Sequence, residues 1–333
     1  MNKEISDFLK YNFCNAKKIY YKNKFIIEDC KSITALATGK KYKKELLGGG
    51  IFPSTYCNAN CTFCANRHIE SERGIMPFEI FKKAVDEFKE LGITSIGLTP
   101  MIGEPLLDNG LFEKIDYIYE NKMTCSFYTN GFLIKNNIDK ILSSKLETIL
   151  IDVADVIPLY ESKVFQVSEE QCRQKLDAIL ELIKRNKKIN IQLSFRPMRE
   201  FNKIIKDMKK TPFWEYYQKG LFKMDYLTAY DNWGGSISKK DLIGFQTMSG
   251  APKIKKYPCQ NLFGFSILPN GNIRACGCRV LKTFDDELIV GNILKMTLKE
   301  AFNSEKYDSI LAGFENGTIP KVCEKCTFYI PKI

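Results

Sequence analysis

The stretch LGGGIFPSTYCNANCTFC, residues 47–64, is an apolar run followed by three cysteines at 57, 61 and 64. LGGGIFPS reads as a strand delivering the chain into a cysteine loop, and the segments beyond that loop decide the fold. PFEIFKKAVDEFKELG (77–92) places Phe78, Phe81, Val85, Phe88 and Leu91 at helical spacing, with Pro77 at its start and Gly92 at its end. TSIGLTP (94–100) reads as a buried strand, GLFEKIDYIYEN as a helix, and TCSFYTN (124–130) as a strand closed by an Asn-Gly turn. The alternation continues with a helix near 136–144, strand ETILIDV (147–153), a long helix near 168–187, and strands NIQLSF (190–195) and KMDYLTAY (223–230). About six strand–helix repeats predict an α/β fold with a parallel sheet, open or curled into a partial barrel. Such folds carry chemistry at the carboxyl ends of their strands. The cysteine loop sits at that end, as do GEP (103–105), TNG (129–131), Asp152 and Arg196.

On either side the pattern changes. Residues 1–46 form a Lys-rich N-terminal extension without a clear repeat, and 47–240 form the α/β core. Residues 241–256 are rich in Gly, Ser, Lys and Pro and read as a linker. Beyond it, GFSILPNGNIRACGC reads as a hairpin turning at Asn270-Gly271, and MTLKEAFNSEKYDSILAGFENG as one or two helices. Residues 257–333 thus form a small C-terminal α+β domain, too small to be robust without a staple, which its five cysteines supply. GGG at 48–50 lacks the Lys-Ser/Thr of a phosphate loop and precedes a strand, so it reads as backbone flexibility.

The 333 residues are 44% hydrophobic and 27% charged, the balance of a soluble globular protein. No run of about 18 apolar residues is present, and the N-terminus MNKEISDFLKYNF lacks the apolar stretch of a signal peptide, which points to the cytoplasm and to no membrane partner. Disulfides seldom persist in a reducing compartment, so twelve cysteines need another explanation. Eight fall into the groups 57/61/64 and 259/276/278/323/326, which favours metal or catalysis. Cys14, Cys30, Cys125 and Cys172 stand alone and read as small buried apolar residues. The formal charge of +11 resides in short runs such as KKYKK (40–44) and KDMKK (206–210), read as solvated helix faces or as docking charge for an acidic partner. No basic run interleaved with aromatics suggests nucleic acid.

Three thiols are one short of a closed zinc site. His68, the chain's only histidine, could complete a Cys3His set; the alternative is a 4Fe–4S cluster with one iron left open to a substrate or cofactor. A single imidazole also leaves acid–base work to Tyr, Lys, Asp, Glu or a free Cys. The preferred reading of His68 is packing or hydrogen bonding beside a cluster.

C-x3-C-x-Phe-C after the first strand of a parallel α/β unit resembles the signature of the radical S-adenosylmethionine (SAM) superfamily, and Phe63 before the third cysteine strengthens the match. The resemblance implies a partial (β/α)6 TIM-like barrel, with Cys57, Cys61 and Cys64 holding a 4Fe–4S cluster. It also implies SAM on the open iron, cleaved by the reduced cluster to methionine and a 5′-deoxyadenosyl radical that abstracts hydrogen. MIGEP (101–105) matches the family's Gly-Gly-Glu motif at Gly103 and Glu104, with Ile102 in place of the first Gly. By the same resemblance Asn130 ends the third strand at the cofactor and Asp152 accepts from the ribose hydroxyls. Ser194 and Arg196 end the fifth strand, where Arg could pair with SAM's carboxylate. Cys259, Cys276, Cys323 and Cys326, with a Gly-x4-Cys unit at Gly271–Cys276, resemble the auxiliary-cluster domain called Twitch, a shortened SPASM domain. That implies one further 4Fe–4S cluster, with Cys278 to spare or exchanged for Cys276. A zinc ribbon is the structural alternative.

The expected function is hydrogen abstraction from a small molecule, for example oxidation of a sugar or cyclitol, with the auxiliary cluster taking up an electron or positioning substrate. Peptide modification (cross-linking, epimerisation or oxidation) is the alternative; the 46 residues before the core are few for a leader-binding domain. A zinc-stapled binding module without catalysis is the reading from another class. The expected partner is an acidic electron donor such as a flavodoxin or ferredoxin.

Overall fold

The structure is a computed structural model that describes residues 3–98 and 101–333, leaving aside the side chains of residues 3–18 and 21. The side chain of Cys14 and the end of the expected 94–100 strand therefore lie outside what is described.

A 35-residue helix, α1 (Lys3–Ala37), precedes the sheet where the sequence pattern showed only a Lys-rich extension. Strands β1 (Gly48–Ile51), β2 (Ser95–Gly97), β3 (Thr124–Thr129), β4 (Thr148–Val153), β5 (Asn190–Phe195) and β6 (Lys223–Tyr226) pair in parallel in chain order. Between them run α2 (Phe78–Glu90), α3 (Leu111–Glu120), α4 (Ile138–Ser143), the pair α5 (Pro158–Phe165) and α6 (Glu169–Arg185), and the pair α7 (Phe201–Met208) and α8 (Pro212–Gln218). This is the strand–helix repeat of a partial (β/α)6 barrel. Two of these helices show a local reason for forming. Phe81, Val85 and Phe88 bury one stripe of α2, and Ser168 and Gln171 close a capping box at the start of α6.

After a two-strand pairing of β7 (Ala229–Tyr230) with β8 (Thr247–Met248) come β9 (Gly264–Ile267), β10 (Asn272–Arg274) and β11 (Ile289–Asn292). The expected hairpin is β9–β10, turning at Gly271 with φ +84°. Two helices come next, α9 (Leu298–Phe302) and α10 (Glu305–Asn316), then the short α11 (Lys321–Glu324).

The C-terminal part does not stand apart from the core sheet. β9 pairs in parallel with β1 over Gly48–Ile51, so the strand order β11-β10-β9-β1-β2-β3-β4-β5-β6 is one sheet of nine. The 241–256 stretch is irregular yet anchored. It contains β8; a Cβ on Gly250 would lie 2.4 Å from the Phe25 ring; and Lys253 N and Ile254 N both donate to Asp29 Oδ1 at 2.8 Å.

Three smaller expectations are corrected. Cys30 is exposed rather than buried, because it lies on the outer face of α1. Lys40–Lys44 form no helix face, since α1 ends at Ala37 and Tyr42 turns inward onto Phe263. Gly49 serves close approach rather than flexibility, since a Cβ there would lie 2.3 Å from the Phe88 ring.

Candidate functional site

The cysteine loop leaves β1 and is tied down on several sides. Asn60 N and Thr62 N donate to Phe165 O and Val164 O at 3.1 and 2.9 Å, and Glu104 N donates to Tyr56 O at 2.7 Å. Arg73 donates from Nη1 to Thr55 O at 2.8 Å and from Nη2 to Asn66 O at 3.0 Å. Trp233 Nε1 donates to Phe63 O at 2.9 Å. Held this way, Cys57, Cys61 and Cys64 all line one cavity of about 490 Å³ at the carboxyl end of the sheet.

Burial raises all three thiols, Cys64 to about 12, so each stays protonated until a cation claims it. Donors that favour a thiolate are already aimed at two of them: Asn130 Nδ2 at 3.7 Å from Cys57 Sγ, and Asn66 N at 3.5 Å from Cys64 Sγ. This soft, all-thiol set fits iron–sulfur chemistry better than a hard cation. Among the described residues no three His, Cys, Asp or Glu side chains converge on a single ion. A cluster asks for separate thiolates on separate irons instead. His68 does not line the cavity; its Nε2 is buried without a hydrogen-bond partner.

The strand ends supply the opposite wall. Gly103 adopts φ +127°, and a Cβ there would lie 2.3 Å from Ser54 O, so only glycine fits against the loop. Ile102 is buried in an apolar cluster with Phe52, Leu268, Val280 and Phe284. Its side chain is thus accounted for by packing at the position where a glycine was expected. Glu104 is buried and accepts from Leu106 N at 3.1 Å, Thr129 Oγ1 at 2.7 Å and Asn130 N at 2.8 Å. Burial pushes its carboxyl up to about 7 against the pull of those three donors. It ties its own loop, which follows β2, to the end of β3. Asn130 Nδ2 also donates to Asn58 Oδ1 at 2.7 Å, tying β3 to the cysteine loop.

On the β4–β5 side, Arg196 Nε donates to Asp152 Oδ1 at 2.9 Å, and the guanidinium lies 5.7 Å from the Phe63 ring. Phe63 stacks on Tyr230 at 5.2 Å, and Gln246 Nε2 donates to Tyr230 Oη at 3.4 Å and Arg196 O at 3.3 Å. Ser194 is paired in register with Asp152 and Asp225 but is buried and does not line the cavity.

The C-terminal cysteines gather around a second, narrow cavity lined by Cys259, Cys276, Cys278, Cys323 and Cys326. Gly277, Cys278 and Arg279 also line the large cavity, so Cys278 faces both. The Cys276 thiol is pulled down, first by a hydrogen bond from the Cys278 thiol and then by the Arg274 guanidinium. Arg274 is fully buried and pairs with Asp286 at 2.6 Å. Arg279 donates to Asp231 Oδ2 at 2.6 Å and stacks between Trp233 and Phe328, at 4.8 and 4.1 Å.

The structure therefore brings together every sequence-predicted cofactor residue except Ser194. It adds Lys24, Tyr230, Trp233 and Arg279, which no motif marked. The nearest signal for Arg279 was its place directly after Cys276-Gly-Cys278.

A model of the radical SAM superfamily matches residues 51–208, and one of an iron-sulfur cluster-binding domain, SPASM, matches residues 259–327. A "tungsten-containing aldehyde ferredoxin oxidoreductase cofactor-modifying protein" of Pyrococcus furiosus is 27% identical over 111 residues, 32% of this chain and 30% of that relative's own length. Among solved structures, Streptococcus suis SuiB bound to precursor peptide SuiA is similar with TM-score 0.57 and 15% identity, over 89% of this chain and 74% of that one. BtrN in complex with AdoMet and 2-DOIA is similar with TM-score 0.52 and 16% identity, over 85% and 94%. anSMEcpe with bound AdoMet is similar with TM-score 0.53 and 21% identity, over 80% and 84%. Identities this low show a common fold.

Proposed function

The chain belongs to the radical SAM superfamily and ends in its iron–sulfur cluster-binding domain, and on that premise we propose that it abstracts a hydrogen atom from a small molecule bound beside SAM. It is an enzyme whose cofactors are SAM and iron–sulfur clusters. When bound, a reduced 4Fe–4S cluster supplies the electron that cleaves SAM to methionine and a 5′-deoxyadenosyl radical.

The residues of this chain do the rest. Cys57, Cys61 and Cys64 would hold the first cluster and leave one position open. Cys259, Cys276, Cys323 and Cys326 would hold one auxiliary cluster, within a unit running from about residue 257 to the end. Glu104, engaged by three donors, keeps the loop after β2 and the end of β3 in place around the cofactor. Asp152 would take the ribose hydroxyls and Arg196 the carboxylate, so cofactor binding must share or open the 2.9 Å pair they now make. Phe63 and Tyr230 form a dry wall beside them, which keeps water from a reactive centre.

The observation carrying this reading is the shared cavity: loop thiols, strand-end polar groups and Gly277–Arg279 all border one space. At about 490 Å³ it lies within the roughly 300–1,000 Å³ of single-ligand sites. A second reading, radical modification of a peptide, draws support from the similar fold captured with a precursor peptide; one projecting side chain would enter the same space. The net charge of +11 suits an acidic electron donor such as a flavodoxin or ferredoxin.

The test is 5′-deoxyadenosine formation by reconstituted enzyme with SAM and a strong reductant. Cys61→Ala should abolish it, and undiminished formation in that variant would refute the assignment. Cys323→Ala should spare SAM cleavage and stop product formation from the substrate.

A further inference from the structure

The large cavity has an end that the cofactor reading leaves unused. It is bordered by Asp231, Arg279, Phe328 and Gly250, and by Lys24 reaching in from α1. Lys24 is held there by its helix. Asp29 on the same helix accepts from Lys253 N and Ile254 N, and the Phe25 ring occupies the space beside Gly250.

Among the described residues Lys24 makes no ion pair at this end. Asp231 is taken by Arg279 at 2.6 Å, so that pair is internally neutral. Glu28, one turn along α1, pairs with Lys31 at 3.2 Å. Among the described residues no carboxylate lies within 4.0 Å of Lys24 Nζ, which sits over the Phe328 ring at 5.8 Å. Partial burial lowers the lysine's proton affinity, while Glu28 one turn away and Cys259 act in the opposite direction from beyond contact distance. A half-buried cation at a cavity wall gains most from an anionic oxygen group brought by a ligand.

We propose that Lys24 on α1 binds an anionic group, a carboxylate or a phosphate, carried by the substrate. The inference rests on the cavity being the substrate site, and it narrows the substrate to an acid or a phosphate ester. It also gives α1 a task in recognition, since no strand end of the barrel supplies this charge.

The test needs no substrate. The intact protein is trace-labelled with acetic anhydride, and acetylation of Lys24 is measured by mass spectrometry against exposed Lys43 as an internal reference. Separate arms contain inorganic phosphate, acetate, or sodium chloride at equal ionic strength. The expected result is selective protection of Lys24, about tenfold when the anion stands at ten times its dissociation constant. Protection by phosphate alone assigns a phosphate ester, and protection by acetate assigns a carboxylate. Equal slowing in all three arms, or slowing of Lys43 alongside Lys24, overturns the proposal. SAM cleavage by reconstituted enzyme from the same preparation reports separately on the proposed function. Cleavage without protection sinks only the anion site, whereas protection without cleavage sinks only the radical SAM activity.

Discussion

Glu104 accepts three hydrogen bonds and is still buried deeply enough to hold its proton to about pH 7. Its folded-state affinity for that proton exceeds the unfolded one, so the folded protein binds more protons between about pH 4.5 and pH 7. Stability from this group must then fall as pH rises through that window. Denaturant unfolding of Glu104→Gln should lack this component, and its stability relative to wild type should improve by up to about 3 kcal/mol from the low to the high end. Parallel pH profiles for the two proteins would show that the carboxyl ionises freely. Glu104 and Gly103 were readable through the resemblance of MIGEP to the family's Gly-Gly-Glu motif, since GEP by itself reads only as a strand-to-helix turn. Ile102 was readable only as a departure. Its place in an apolar cluster with Phe284 and Val280 comes from chain folded back from nearly 180 residues away.

At the scale of elements, the end of β4 is set by α5 and α6. Glu161 accepts from Ala154 N at 2.6 Å and Asp155 N at 2.8 Å, and Lys175 Nζ bonds Glu161 at 2.5 Å and Asp152 O at 2.7 Å. Both side chains are fully buried, and the ammonium lies 3.9 Å from the Phe165 ring centroid. Breaking such a pair strands a charge, whereas removing both partners does not. Lys175→Met should therefore cost about 3–5 kcal/mol in urea unfolding, and Glu161→Leu with Lys175→Met should recover much of it. A double variant as unstable as the single one would assign the loss to packing and to the backbone groups that the pair engages at Asp152, Ala154 and Asp155. The helices themselves were readable from their periodicity and from the Ser168–Gln171 cap. The pair was not, because Glu161 and Lys175 sit among ordinary charged helix residues and only packing shows which are inside.

For the whole molecule, the parallel pairing of β9 with β1 makes the C-terminal unit an extension of the barrel sheet. The two parts should unfold together. Fluorescence of Trp214 on α8 and Trp233 at the junction should trace the same denaturant transition as far-UV circular dichroism. Arg274→Met, which unpairs Asp286, should lower that transition by about 3 kcal/mol or more without splitting it. Two resolved transitions would mean that the units are thermodynamically separate. Within this architecture the sequence alone determined the α/β class, the cysteine loop after β1 and the two cysteine groups. Those features rest on local periodicity and on spacing along a few turns of chain. Only the tertiary structure decided that β9 lies beside β1, that Cys278 faces both cavities, and that α1 sets Lys24 at the far end of the site. Each of these joins segments far apart in the chain, and the pairing is chosen by burial and hydrogen bonding over the whole sheet, which no local pattern records.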